Sequence, residues 1–370
     1  MEILIVNMML SSSEKCVITR RKSNKDSMIY NFARGLVANG HSVTVCASEE
    51  YMPLEKEQNE FEVIYFKSKW RWLFKPYLIP FPLGLRSFVK ENINKYDLVI
   101  ASEIFQMATL LIADICKDKL VVWQELSLHN QKLFKLPSKF WYNFVVSCTS
   151  LKNALVIPRS ENAKAFIKQY SCNVSDDIVE HGANGEVLIP KEYAGRNFSV
   201  VGQLIARKNV DSIVRKFASF VKKEGYSDFV LNIIGEGAER ESLERLTEEL
   251  AIQENVIFRG FLTHQEMAGY LSDSYALLVD TLRDLNMVSI PESIVSGTPV
   301  LMNTVPCTAQ FVSENGLGIA KENWNEQDIE EMVKNYELFH SNCVKIREQL
   351  TNVGCAKKMI DIFIKNKKAN

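Results

Sequence analysis

The sequence predicts an α/β protein built from two doubly wound domains around a cleft. Three observations lead there. Short apolar runs alternate with helix-like runs, the pattern of a parallel sheet covered on both faces. That pattern pauses in a turn-rich stretch near residues 182–195 and then begins again. The length, 370 residues, suits two domains better than one.

Taken in order, residues 3–6 open the chain as a buried strand. A helix is expected over 26–39, stopped by Gly40, with a second strand over 42–46. Strands follow at 62–66, 98–101, 120–123 and 155–158, with a helix over 106–116. Past the boundary, strand 198–202 leads to helix 209–224, strand 229–235 to helix 238–250, and strand 256–258 to helix 263–272. Strand 275–280 ends in a loop before an apolar helix that opens near Glu292, ends at Gly297 and gives way to a strand over 299–303. Open α/β sheets bind ligands beyond the carboxyl ends of their strands, so two such sheets facing each other would enclose a cleft.

Composition narrows the function. At 46% hydrophobic and 24% charged, the chain has an ordinary soluble composition, and a net charge of −1 argues against a nucleic-acid partner. The eight cysteines (16, 46, 116, 148, 172, 307, 343 and 355) form no C-x-x-C pair, which reads as reduced thiols in a cytoplasmic protein. Five scattered histidines disfavour a His-based metal site. The amino terminus lacks the basic lead of a signal peptide, and no apolar run reaches the ~18 residues of a membrane span.

The most informative stretch is 283–300. It sets Asp284 and Glu292 eight positions apart, on either side of a strand-to-helix loop. Carboxylates accept paired hydrogen bonds from vicinal hydroxyls, so two of them can each hold one sugar ring. The alternative is an N-capping acid and a first-turn Glu on an ordinary helix. A second signal is Gly202-Gln203-Leu204-Ile205-Ala206-Arg207-Lys208, which puts adjacent cations on a strand-to-helix loop where a diphosphate could bind. The alternative there is a solvated Arg-Lys pair, mildly opposed by the helix dipole. Third, Gly235-Glu236-Gly237 allows a tight turn near a ligand, but Arg240 stands where a dinucleotide fingerprint wants a third Gly.

Together, in order and spacing, these segments resemble the retaining GT-B glycosyltransferases of family 4, of the bacterial surface-polysaccharide type. The resemblance covers residues 198–300 by motif and the first half by pattern. It implies two Rossmann-like domains, 1–187 for the acceptor and 188–354 for a UDP- or GDP-sugar, and a final helix, 355–370, crossing back to the first domain. It implies that Asp284 contacts the transferred sugar and Glu292 the nucleotide ribose, with the backbone of Leu285, Asn286, Met287 and Val288 positioning the sugar. Lys208 matches the family's diphosphate lysine, with Arg207 as its partner, and Gly202, Gln203 and Gly235 border the donor. The loop at Phe261 and Leu262 matches the segment that holds the base. The activity implied is transfer of a sugar to a hydroxyl of a glycan or glycolipid. The chain lacks the Asp-x-Asp pair that the other main transferase fold uses for a metal, which fits a metal-independent site with no cofactor.

The chain also departs from that family. Asp replaces Glu at the first acidic position, and Gln203 stands where many members carry Arg. The first loop, 10–24, has no Gly-Gly but carries Arg20 and Arg21, which could meet an anionic acceptor. The family's acceptor-side His has no clear counterpart. Gln124, Glu125 and His129 stand near its place, Glu125 as a candidate base or a helix cap and His129 reading better as a surface or hydrogen-bonded residue than a catalytic one, and Glu103 is a further cleft-facing candidate. Residues 65–90 interleave six cations with aromatics and contain no acid, which suggests peripheral contact with an anionic membrane, on the inner face of the plasma membrane. Core packing with a wet basic face is the alternative. Two other functions fit less of the sequence: a nucleotide-sugar 2-epimerase, and a non-catalytic protein of the same fold.

Overall fold

Both large sheets of this protein are parallel throughout and buried on both faces. The computed structural model describes residues 1–10, 20–70, 81–129, 135–180, 182–283 and 287–369. The chain divides into two units, Met1–Gly182 with Asn352–Asn370, and Ala183–Thr351.

The first unit runs β1 (Glu2–Val6), α1 (Met28–Ala38), β2 (Ser42–Ser48), β3 (Glu62–Phe66), then a short antiparallel pair, β4 (Ser68–Lys69) and β5 (Phe81–Pro82). There follow α2 (Leu85–Asn92), β6 (Leu98–Ser102), α3 (Met107–Cys116), β7 (Leu120–Gln124), α4 (Lys135–Phe140), α5 (Val146–Cys148), β8 (Leu155–Pro158) and α6 (Glu161–Ile167). The sheet order is β3-β2-β1-β6-β7-β8. Alternate strand residues point to opposite faces. Ile3, Ile5, Leu98, Ile100, Val121 and Trp123 fall in one core cluster. Their neighbours Leu4, Val6, Val99, Ala101, Leu120 and Val122 fall in the other. Two buried faces are why these strands read as continuous apolar runs.

The second unit repeats the plan with β9 (Asn197–Val201), α7 (Val210–Val221), β10 (Val230–Ile234), α8 (Arg240–Glu249), β11 (Val256–Gly260), α9 (His264–Ser272) and β12 (Ser274–Val279). It continues with α10 (Ser289–Val295), β13 (Val300–Met302), α11 (Ala309–Glu314), β14 (Gly318–Ala320), α12 (Glu326–Lys334) and α13 (Tyr336–Leu350). Its sheet order, β11-β10-β9-β12-β13-β14, mirrors the first. The expected strands appear where the apolar runs lie. Helices α2, α4, α5 and α6 were not legible as periodic runs; each is too short to repeat a helical period clearly.

The last helix, α14 (Asn352–Ala369), belongs to the first unit. Its Cys355, Ala356, Met359, Ile360 and Phe363 share a core with Ile29, Phe32, Ala33 and Leu36 of α1. The helices approach so closely that a Cβ on Gly35 would lie 2.2 Å from the carbonyl oxygen of Asn352. Asn352 Nδ2 also donates to the Asn31 carbonyl at 3.0 Å, and Asn39 Nδ2 to that of Val353 at 2.9 Å. Glu180 lies near Lys358 of this helix, and burial pushes its carboxyl up to about 7.

Two predictions follow from this packing. Helix propensity alone would favour Gly35→Ala by ~1 kcal/mol, but backbone overlap should outweigh it and leave a net loss of about 2 kcal/mol in urea unfolding of the first unit. An unchanged or higher midpoint would contradict the α1–α14 contact. Glu180 has a raised folded-state pKa, so the folded chain holds this proton where the unfolded carboxyl, at its usual 4.5, has lost it. Its contribution is therefore present at low pH and lost as pH rises through about 7. Glu180→Gln should lose less stability than the parent between pH 5 and pH 8, by on the order of 1 kcal/mol. Parallel pH profiles for the two proteins would remove that assignment.

Candidate functional site

The strand order of each sheet reverses once, between β1 and β6 in the first unit and between β9 and β12 in the second. Loops leaving the carboxyl ends of such strands diverge and leave a crevice. In the second unit they are the loops that carry the cationic pair and the acidic pair.

After β9 the backbone passes Gly202 (φ 150°), turns through a short 3-10 segment, Ala206–Lys208, and enters α7 through Asn209, a left-handed residue at φ 54°. Asn tolerates that conformation better than most side chains. The Lys208 side chain folds back over Gly202. Its Nζ and Cε lie 3.7 and 3.5 Å from where a Cβ on Gly202 would be. Lys208 and Arg207 are half-buried, and Gln203 is exposed.

The loop after β12 is fastened to this turn. The Arg207 carbonyl accepts from the Leu282 N–H and the Thr281 hydroxyl, both at 2.9 Å. Asn303 Nδ2 donates to the Thr281 carbonyl at 2.8 Å. Asp280 is committed to the fold: Ser212 and Lys216 of α7 each donate to it at 2.6 Å, and the Lys216 ammonium lies 4.2 Å from the centre of the Trp324 ring. A cavity lies between the two loops, with Gly202, Gln203, Lys208, Asp280, Thr281 and Met287 in its wall.

Every residue of α10 is buried. Glu292 therefore projects from a rigid element, its side chain only 8% exposed, with His264 Nε2 3.2 Å from Oε1. His264 opens α9, whose start is fixed by a Thr263–Glu266 capping box. Asp284, Leu285 and Asn286 lie outside the described residues. Val288 is exposed and Met287 buried.

Gly235 packs backbone against backbone. It has φ 140°, and a Cβ there would lie 1.9 Å from the Gly202 carbonyl oxygen. A Cβ on Gly237 would meet the Leu204 carbonyl oxygen at 2.2 Å. The two loops cross backbone to backbone, joined by Leu204 N–H to the Glu236 carbonyl and Glu239 N–H to the Leu204 carbonyl, both at 3.0 Å. The pair thus packs one loop on the other. Phe261 is 82% exposed and Leu262 half-buried, on the loop after β11.

In the first unit, the ends of β6, β7 and β8 bring Glu103, Glu125 and Arg159 together. Glu103 is held at φ 65°, unusual for a side chain this large. Its carboxylate accepts from the backbone N–H of Glu125 at 2.6 Å and of Leu126 at 3.2 Å. Burial pushes it up to about 7, against the opposing pull of Arg159 and with the support of Glu125. Arg159 pairs with Glu125 at 2.8 Å and lies 3.8 Å from the centre of the Trp123 ring. Gln124 is fully buried and spends its amide on the Ile104 N–H, the Leu126 carbonyl and the Tyr142 hydroxyl. Those bonds hold the Gln124 side chain within the fold. His129 shares its ring nitrogens with Ser138 and Tyr170, each at 3.1 Å, so it too is a packed residue. Burial, with Lys139 and Lys135 nearby, lowers its pKa. Arg20 and Arg21 are exposed. Sequence reading missed His264, Asp280 and Arg159, which sit far along the chain from the groups they touch and carry no spacing signal.

The "Glycosyl transferases group 1" model matches residues 191–352, and the "Glycosyltransferase Family 4" model matches residues 27–170. The chain belongs to the family 4 glycosyltransferases of the GT-B fold. This glycosyltransferase is 24% identical over 319 residues to an uncharacterized glycosyltransferase of Haemophilus influenzae, covering 84% of this chain and 85% of that one. It is 27% identical over 111 residues to the alpha-monoglucosyldiacylglycerol synthase of Streptococcus pneumoniae, covering 30% of this chain and 25% of that protein. Among solved structures, a Rickettsia africae glycosyltransferase superposes with a TM-score of 0.70 at 13% identity, over 100% of this chain and 99% of that one. HepE of Anabaena, solved with UDP and glucose, superposes with a TM-score of 0.62 at 14% identity, over 98% of each chain.

Gly235→Ala should destabilise the second unit by about 3 kcal/mol, because neither backbone can yield. Gly269→Ala, in α9 with open space around its Cβ, serves as the control and should be neutral or slightly stabilising. Equal effects in chemical denaturation would contradict the crossing of the two loops.

Proposed function

We propose that this glycosyltransferase moves a sugar from a nucleotide sugar to a hydroxyl of a glycan or lipid-linked glycan, with retention and without a metal ion. The observation that carries the reading is the fastening of the acidic loop to the Arg207 carbonyl, beside the Lys208 side chain folded over Gly202. In this reading Lys208 and Arg207 stabilise the diphosphate as its charge develops, and Glu292, held by His264, accepts from the ribose hydroxyls. Asp284 and the backbone of Leu285 to Val288 position the sugar. The exposed Phe261 loop borders the base. The acceptor hydroxyl attacks from the face the leaving group departs, and the leaving phosphate takes its proton, so no protein nucleophile is required.

UDP is the preferred nucleotide, given the UDP bound to HepE. A growing surface glycan is the preferred acceptor. Glu125, paired with Arg159, and Glu103 beside it are the acceptor-side groups of the first unit.

A thermal-shift panel of UDP-, GDP-, ADP- and dTDP-sugars, run with chelator and scored beside nucleotide release, tests the reading. One nucleotide should stabilise the chain by RT ln(1 + [L]/Kd) and be released in the absence of metal. Lys208→Ala should cut turnover by about 10²–10³-fold, and Glu292→Ala should weaken donor binding by at least roughly tenfold. Stabilisation without release under any acceptor would favour a binding protein, and absence of any shift would sink the nucleotide site.

A further inference from the structure

The segment from α4 through α5 presents an apolar stripe to solvent. Leu136, Phe140 and Phe144 are 78%, 61% and 61% exposed. They follow each other at four-residue steps, the spacing of one helix face. The Phe140 and Phe144 rings stack with centroids 5.4 Å apart and planes at 16°. The opposite face is anchored: Tyr142 and Val146 are fully buried, and Trp141 Nε1 donates to the Ile104 carbonyl at 2.9 Å. The helix is thus fixed by one apolar face while it shows a second one. A single π-helical turn, Trp141–Val145, interrupts it in the middle.

Charge identifies what the stripe meets. Between Leu126 and Pro158 the sequence has four lysines and no acid, although the whole chain has a net charge of −1. Lys135 and Lys139 flank the stripe and are exposed, as is Lys152 beyond α5. Exposed aromatics between same-sign cations match an interface that is apolar within and anionic at its surface. A protein surface covering this face would have to satisfy both at once without any acid contributed from this segment.

We propose that the Leu136–Phe140–Phe144 face of the first unit docks onto an anionic lipid bilayer, with Phe140 and Phe144 inserted at the level of the headgroups and Lys135 and Lys139 on the lipid phosphates. This surface is separate from residues 65–90, of which 71–80 lie outside the described residues. Within that segment Trp70 is half-exposed, with Phe81 4.9 Å from its ring centre. The proposal does not depend on the donor or on catalysis.

The test is co-sedimentation of the full chain with phosphatidylcholine vesicles, with and without about 30% phosphatidylglycerol. Binding should require the anionic lipid and weaken with salt. Phe140→Ser with Phe144→Ser should lower the partition coefficient at least tenfold, as should Lys135→Glu with Lys139→Glu. Because these side chains are exposed, the thermal midpoint should not move. As a positive readout, the emission of Phe144→Trp should shift to the blue on anionic vesicles alone. Undiminished binding of the double serine variant, or no binding by the parent, overturns the proposal. So does light scattering that shows a dimer dissociated by the serine substitutions, which would make the stripe a contact between copies of the chain.

Discussion

The second unit depends on how closely two backbones cross. The loop after β9 and the loop after β10 meet where Gly235 leaves only 1.9 Å between its Cβ position and the Gly202 carbonyl oxygen. No side chain larger than hydrogen fits there. That contact fixes the path of the chain from Gly202 to Asn209, and with it the Lys208 side chain. The Arg207 carbonyl then accepts from Thr281 and Leu282, so the start of the acidic loop inherits its position from the same crossing. A buried helix, α10, holds Glu292 at the far end of that loop. Lys208 and Glu292 thus stand on backbone held by close packing.

The first unit uses the same sheet order with different loop chemistry. At the ends of β6, β7 and β8, charged groups gather: Glu103 on the backbone N–H groups of Glu125 and Leu126, Arg159 on Glu125, and Trp123 beneath the guanidinium. Moving a carboxylate into such surroundings raises its pKa unless a cation compensates. Arg159 compensates only in part, since Glu103 stays at about 7. The same unit is closed by α14, whose approach to α1 depends on Gly35. Chain ends nearly the full sequence apart are therefore part of one core.

Similarity to other glycosyltransferases extends over the whole chain in structure but stays at 16% identity or below among the structures compared. At that identity the likeness is one of fold. The sequence departs in its loops from the family pattern it resembles. The absence of Gly-Gly in the first loop and the Asp at position 284 are examples.

The strands were legible in the sequence, because residues buried on both faces of a parallel sheet must be apolar without interruption. The sequence also determined the order of the cationic and acidic motifs and the place where the pattern restarts. Tertiary structure alone decided which groups those motifs meet. Glu292 and His264 are 28 positions apart, and Asp280 and Lys216 are 64 apart; neither pair has a local periodicity that would announce it. It also decided which groups Gln124 and His129 bond, since partners such as Tyr142 and Tyr170 come from later segments of the chain. Local sequence specifies local backbone through sterics and burial. Pairing across a fold is set only when the sheet order brings the loops together, and the sheet order depends on every strand at once.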